Sequence, residues 1–143
     1  MMKMNRSKWL SLWLLAGLLS GSAHADAPVI LVLGDSLSAA YGIPAEQGWV
    51  SLLQGRLAER GYPHRVVNAS ISGDTTSGGL SRLPAALEQH RPALVILELG
   101  ANDGLRGQPP MVISRNLARL IEQTQQSGAR VLLAEMRIPP NYG

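Results

Sequence analysis

Val29-Ile30-Leu31-Val32-Leu33-Gly34-Asp35-Ser36 decides the fold: five apolar residues in a row, held between Pro28 and Gly34, then a turn that carries a hydroxyl. A continuous apolar run of this length reads as a strand buried on both faces, as in a parallel sheet covered by helices. Leu94 to Leu99 (LVILEL) is another such run, Arg65 to Ala69 (RVVNA) reads as a strand between the two, and Val131 to Met136 (VLLAEM) as a fourth. Trp49, Leu52, Leu53 and Leu57 recur at helical spacing up to Gly61, a C-cap residue type. Leu80, Leu83 and Leu87 mark a second helix, with Thr75, Thr76 or Ser77 as N-cap. Pro84 within it predicts either a kink or a helix that begins near that residue. Ile113, Leu117, Leu120, Ile121 and Thr124 form a third stripe, closed by Gly128. The order β-α-β-α-β-α-β, with short connections and right-handed crossovers, predicts an α/β fold: a doubly wound parallel sheet with helices on both faces.

In such a sheet the strand ends meet at one edge, where open α/β folds bind their ligands. Three small-residue segments follow the first three strands: Gly34-Asp35-Ser36, Ser72-Gly73-Asp74 and Gly100-Ala101-Asn102-Asp103. Glycine, serine, aspartate and asparagine are also ordinary turn residues, so a single segment of this kind carries no chemistry. Three at one edge supply a hydroxyl, a glycine N–H and a side-chain amide, the parts of a nucleophile with an oxyanion hole. Ser38 stands where the G-x-S-x-G elbow needs glycine. There is no G-x-G-x-x-G, Walker loop or H-E-x-x-H, so the sequence offers no dinucleotide, nucleotide triphosphate or zinc-protease signature.

These blocks resemble the SGNH, or GDSL, hydrolase superfamily: Gly34-Asp35-Ser36 its first block, Gly73 within Asn68 to Thr75 (NASISGDT) its second, and Gly100-Ala101-Asn102-Asp103 its third. The flanking LGDSLSA, LGANDGLRG and PPNYG segments are similar in particular to the periplasmic thioesterase I, lysophospholipase L1 and arylesterase group. The resemblance implies a three-layer α/β/α sandwich and a serine esterase acting on aryl esters, acyl-CoA thioesters or lysophospholipids without a cofactor. It implies Ser36 as the nucleophile, with Gly73 and Asn102 in the oxyanion hole. Arg106, in the segment after the third block, would border the acyl channel. The family's base and its orienting acid come from a D-x-x-H block, which these residues do not contain. The resemblance therefore also implies that a final strand, closing helices and the Asp-His pair are missing here, and that turnover by this chain is impaired.

Other histidines do not fill that role. His24 lies in the leader, while His64 and His90 precede the second and third strands and so belong at the opposite edge of the sheet. Asp35, Asp74 and Asp103 are expected to cap turns, or to hold Ser36 and Asn102. Asn68-Ala69-Ser70 matches a glycosylation sequon at a strand end expected to be buried. Two readings from other classes stand beside the esterase: an acyl- or lipid-binding protein without turnover, and a flavodoxin-like cofactor or signalling domain. The latter needs a phosphate-cradling first loop or an acidic phosphoacceptor pocket, and Ser36, Gly73 and Asn102 argue against both.

The first 25 residues read as a secretory signal peptide. Lys3, Arg6 and Lys8 form a basic n-region, Trp9 to Leu19 is an apolar stretch too short to span a bilayer, and Ala23-His24-Ala25 fits a small-x-small cleavage site. Removal would leave residues 26–143, enough for one hydrolase domain. Three of the thirteen basic residues and none of the ten acidic ones lie in this leader, so the remainder is balanced. That balance gives no support for a nucleic-acid or anionic-membrane partner, and leaves a small-molecule acyl ester or thioester. Absence of cysteine excludes disulfides and thiolate metal sites. Oligomeric state leaves no mark on the sequence. Intact mass of the protein from its native host is expected to show an N-terminus at Asp26 in a periplasmic or secreted fraction. A species beginning at Met1 or Met2 and held in the membrane would contradict the leader.

Overall fold

The computed structural model describes residues 26–135. The leader, Met136 at the end of the expected fourth strand, and residues 137–143 lie outside the described residues. Four strands, β1 (Val29–Gly34), β2 (Arg65–Asn68), β3 (Leu94–Glu98) and β4 (Arg130–Leu133), form one parallel sheet in the order β2-β1-β3-β4. Between them lie α1 (Trp49–Glu59), α2 (Thr76–His90), a short α3 (Ala101–Leu105) and α4 (Pro110–Gln126). The doubly wound α/β reading holds, and strand ends shift from the expected ones by one to three residues.

Side-chain alternation along the strands sorts the core into two layers. Leu31 and Leu33 from β1 and Val95 and Leu97 from β3 face one side, where Leu83 of α2 and Leu120 of α4 close over them. Ile30 and Val32 with Ile96 face the other side and meet Val50 of α1, with Leu53 and Leu57 partly buried beside it. α2 approaches the sheet closely because residue 79 is glycine: a Cβ there would stand 2.5 Å from Leu99 Cδ1. β4 is an edge strand whose Leu132 and Leu133 are 53% and 44% exposed, on opposite faces.

Local chemistry sets the element ends. α1 closes in a Schellman motif, with Gly61 at φ +74° and the amides of Gly61 and Tyr62 donating to Ala58 O (3.0 Å) and Leu57 O (2.9 Å). Thr75 is the N-cap of α2, its hydroxyl accepting from the Gly78 amide at 3.2 Å. Pro84 lies inside this helix, which runs through it from Thr76, so the expectation of a start near Pro84 is corrected. Proline removes only the bond to Leu80 O, and packing against the core of Leu83 before it and of Ala86 and Leu87 after it holds the helix together across the gap. Pro110 occupies the first position of α4, where an amide would have no partner.

Leu120 is fully buried between α4 and the sheet, so Leu120→Ala is expected to cost about 2–5 kcal/mol. Met111, 81% exposed on the same helix, should change by less than about 0.5 kcal/mol when replaced by Ala. Urea unfolding of the two variants, with an unchanged denaturant slope, checks both.

Candidate active site

Strand β1 ends at Gly34, and the chain turns at once through residues 36–42, closed by Ala39 N donating to Asp35 O (2.9 Å) and Tyr41 N to Ser36 O (3.1 Å). Ser36 is half-buried at the tip of β1, and its hydroxyl makes no hydrogen bond within the described residues. Asp35 beside it is 1% exposed. One carboxylate oxygen, Oδ1, accepts from the Leu37 amide (3.0 Å), while Oδ2 accepts from Asn102 Nδ2 (3.1 Å). Asp35 therefore both caps its own turn and holds Asn102, as the sequence suggested.

Asn102 joins the three segments. Its Nδ2 donates to Asp35 Oδ2, next to Ser36, and to Asp74 O (2.9 Å), next to Gly73. An amide NH₂ has two protons, and here both are engaged. The residue lies in the first turn of α3, a short helix that the sequence reading did not include. Gly100, at φ +121°, makes the sharp entry that allows this turn, a conformation a side chain would oppose. Gly73 has φ +79°, and neither its amide nor that of Ser36 donates a hydrogen bond within the described residues. Arg106, an exposed residue, donates from Nη2 to Gly73 O (2.8 Å) and so ties the segment after α3 to the one after β2.

Asp103 and Asp74 are structural anchors. The Asp103 carboxylate, 2% exposed, accepts from Thr76 N (2.8 Å) and Thr76 Oγ1 (2.6 Å), and Asn116 Nδ2 of α4 donates to that same hydroxyl (3.0 Å). Start of α2, start of α3 and middle of α4 are thereby locked together. Asp74 Oδ1 accepts from Thr75 N (2.9 Å), and Oδ2 pairs with Arg82 at 2.7 Å.

Three contributors escaped the sequence reading. Arg82 on α2 reaches Asp74 and the carbonyls of Ala69 and Gly34, gathering the exits of β1 and β2. Glu98, the last residue of β3, is 6% exposed, and its Oε2 accepts from Ser38 Oγ (2.7 Å) and the Asp35 amide (3.3 Å). Ser38 is 1% exposed. Burial pushes the Glu98 carboxyl above the usual carboxylate range; the Ser38 hydrogen bond pulls it back and the Asp35 charge pushes it up again. A charge at the end of LVILEL was the available signal, because a carboxyl within a buried strand requires partners.

His64 and His90 stand apart from this edge. His90 lines a cavity of about 640 Å³ with Val29, Arg65 and Ala93, all at or before strand starts. His64 immediately precedes β2, its ring 6.1 Å from that of Tyr62. The length of β1, roughly 3.3 Å per residue, separates them from Ser36. Asn68, expected buried, is exposed, yet its Nδ2 donates to Ser38 O (2.7 Å) and its Oδ1 accepts from Ser70 N (3.1 Å). Its place at the β2 exit, on the sheet's margin, accounts for both. Among the described residues there is no cluster of metal-ligating side chains and no helix long and apolar enough to cross a membrane.

Comparison with known proteins bears on the family and the fold. Esterase TesA of Pseudomonas aeruginosa is 58% identical over 120 residues, covering 84% of this chain and 60% of that protein. An arylesterase of Vibrio mimicus is 58% identical over 114 residues, covering 80% of this chain and 57% of the relative. Thioesterase 1/protease 1/lysophospholipase L1 of Escherichia coli is 46% identical over 119 residues, 83% of this chain and 56% of the relative. The chain thus spans under two thirds of the length of these relatives. A crystal structure of TesA superposes with a TM-score of 0.79 at 58% identity, covering 80% of this chain and 64% of the other. Esterase EstA from Pseudoalteromonas sp. gives 0.76 at 51%, covering 80% and 63%. Residues 32–143 match the GDSL-like lipase/acylhydrolase family, and with these relatives and this architecture the chain belongs to that family.

Proposed function

We propose that the protein hydrolyses carboxylic esters or thioesters through an acyl intermediate on Ser36, with the amides of Ser36 and Gly73 and the Asn102 side chain binding the oxyanion. The observation that carries this reading is the Asn102 amide, which bridges the residue before Ser36 to the residue after Gly73. Ser36 Oγ would attack the acyl carbon, and the former carbonyl oxygen would take the negative charge as the carbonyl bond opens to a tetrahedral intermediate. Donors fixed beforehand stabilise that charge without reorganising, and the unengaged amides of Ser36 and Gly73 fit this role. Asn102 would redirect one N–H hydrogen bond from Asp35 Oδ2 or Asp74 O to the oxyanion, a tightening expected when substrate fills the site. Names of the relatives, which include esterase, arylesterase and thioesterase, support an acyl ester or thioester as substrate. The leader would deliver the enzyme to the periplasm or beyond, with residues 26–143 as the N-terminal portion of the hydrolase domain.

A base must take the Ser36 proton, and neither His64 nor His90 lies at this edge. Its proposed source is the Asp-His pair that the family resemblance implies. The same observation favours a second reading, acyl binding without turnover. The two part in experiment. Loss of the histidine of such a site costs on the order of 10⁶ in turnover, so the 143 residues alone should hydrolyse p-nitrophenyl acetate or a short acyl-CoA barely above background. Addition of a family-like segment carrying D-x-x-H should raise the rate by several orders of magnitude, and Ser36→Ala should abolish the gain. No gain on addition, with acyl ligands still bound, would favour the binder. In the active form, Asn102→Ala should raise the barrier by about 2.7–4 kcal/mol, seen as a loss of kcat with KM nearly unchanged. Strong Ser36-dependent turnover by the 143 residues would overturn the proposed source of the base.

A further inference from the structure

We propose that Glu98 is a positioning residue for Ser36, fixing the nucleophile's turn from beneath through the Asp35 amide and the Ser38 hydroxyl. This rests on the reading of Ser36 as nucleophile. β1 and β3 pair so that Gly34 lies directly beside Glu98, and alternation turns both towards the α1 face. Residue 34 has no side chain, and the carboxyl occupies the space left. A Cβ on Gly34 would stand 2.8 Å from Glu98 Oε2 and 2.6 Å from Ser38 Oγ. Oε2 then reaches over the end of β1 to the first amide and the second hydroxyl of the turn, on either side of Ser36 in sequence.

These contacts satisfy the turn's buried polar groups. The Asp35 amide lies past the β1–β3 ladder and would otherwise lack an acceptor, and a buried amide without one is costly. Ser38, 1% exposed, cannot turn its hydroxyl to water. Oε2 serves both, so the backbone on each side of Ser36 is held by one atom anchored in the sheet. Glu98 Oε1 has no partner among the described residues, and the carboxyl borders an apolar groove of about 600 Å³ lined by Leu37, Trp49, Leu53 and Leu132. Two acidic groups share this surround, Asp35 against the carboxyl and Glu135 across the groove. Burial and the Asp35 charge raise the Glu98 carboxyl, and the two groups it holds are a neutral amide and a neutral hydroxyl, so Glu98 acts as a shaped acceptor.

Kinetics in the active form, with the D-x-x-H segment added, test this, beginning with Ser36→Ala. If that change leaves turnover intact, the nucleophile has been misidentified and the reading beneath this proposal fails. With Ser36 established, Glu98→Ala should lower kcat by about 10–100-fold with KM within about threefold, the scale of a nucleophile misplaced by about 1 Å. Glu98→Gln, which keeps shape and acceptor, should recover most of that loss. Ser38→Ala should lower kcat in the same sense, and the Glu98→Ala/Ser38→Ala double variant should lose less than the product of the singles, because both act through one contact. That cycle also serves if Glu98→Ala alone folds poorly. The raised Glu98 carboxyl predicts a pH signature as well: wild-type stability should fall, relative to Glu98→Gln, as pH rises from the unfolded carboxylate range through the higher folded pKa. Well-folded Glu98→Ala or Ser38→Ala with kcat within threefold of wild type would overturn the proposal. So would a Gln variant as impaired as the Ala one, since the charge would then be the working feature.

Discussion

Pairing of β1 with β3 is the constraint on which the site depends. The two strands run parallel from Ile30↔Leu94 to Gly34↔Glu98, so both chains leave the sheet at the same height. Ser36 follows one exit and Asn102 the other, and 66 residues of intervening sequence collapse to a single hydrogen bond between Asn102 and Asp35. A slip of one residue would exchange the two faces of β3, sending Glu98 into the layer of Leu83 and Leu120. Both faces of β1 and β3 are apolar, so what opposes that slip is the cost of burying the Glu98 carboxyl there without its partners, and the polar end of β3 helps to align the site.

The polar ground of the site is acidic and held mostly by neutral donors. Asp35 accepts from amides, Asp103 from an amide and a hydroxyl, and Oε2 of Glu98 from a hydroxyl and an amide. Asp74 meets a cation, in its salt bridge with Arg82. Hydrogen bonds to charged groups contribute more than neutral ones, and breaking one side leaves a buried group unpaired. The arrangement therefore favours rigidity in the loops over ion pairing, in keeping with the proposed oxyanion hole, whose donors would be fixed beforehand.

Most of the architecture was legible in the sequence because buried parallel strands leave continuous apolar runs. VILVL and LVILEL announced β1 and β3, and Thr75, Gly61 and Gly128 marked helix ends by chemistry that acts locally. Positions of Ser36, Gly73 and Asn102 were legible as strand-end segments. What escaped depends on pairing between distant segments. Glu98 reads as the polar end of a strand until its register with Gly34 is known. Arg82 looks like a solvated helix residue until its reach to Gly34 and Ala69 is seen. Pro84 misled because a local propensity lost to tertiary burial on both sides of it, and α3 was missed because five residues are too few to show a helical period.

Strand order carries a consequence for biosynthesis. The most apolar strand, β1, is central in the sheet, and its partners β2 and β3 follow it in the chain by about 36 and 64 residues. Translation at about 5–20 residues per second delivers β3 roughly 3–13 s after β1 has been made. Throughout that interval VILVL has no complete ladder on one side. The centre of the finished sheet is thus the part of the nascent protein that waits longest for burial.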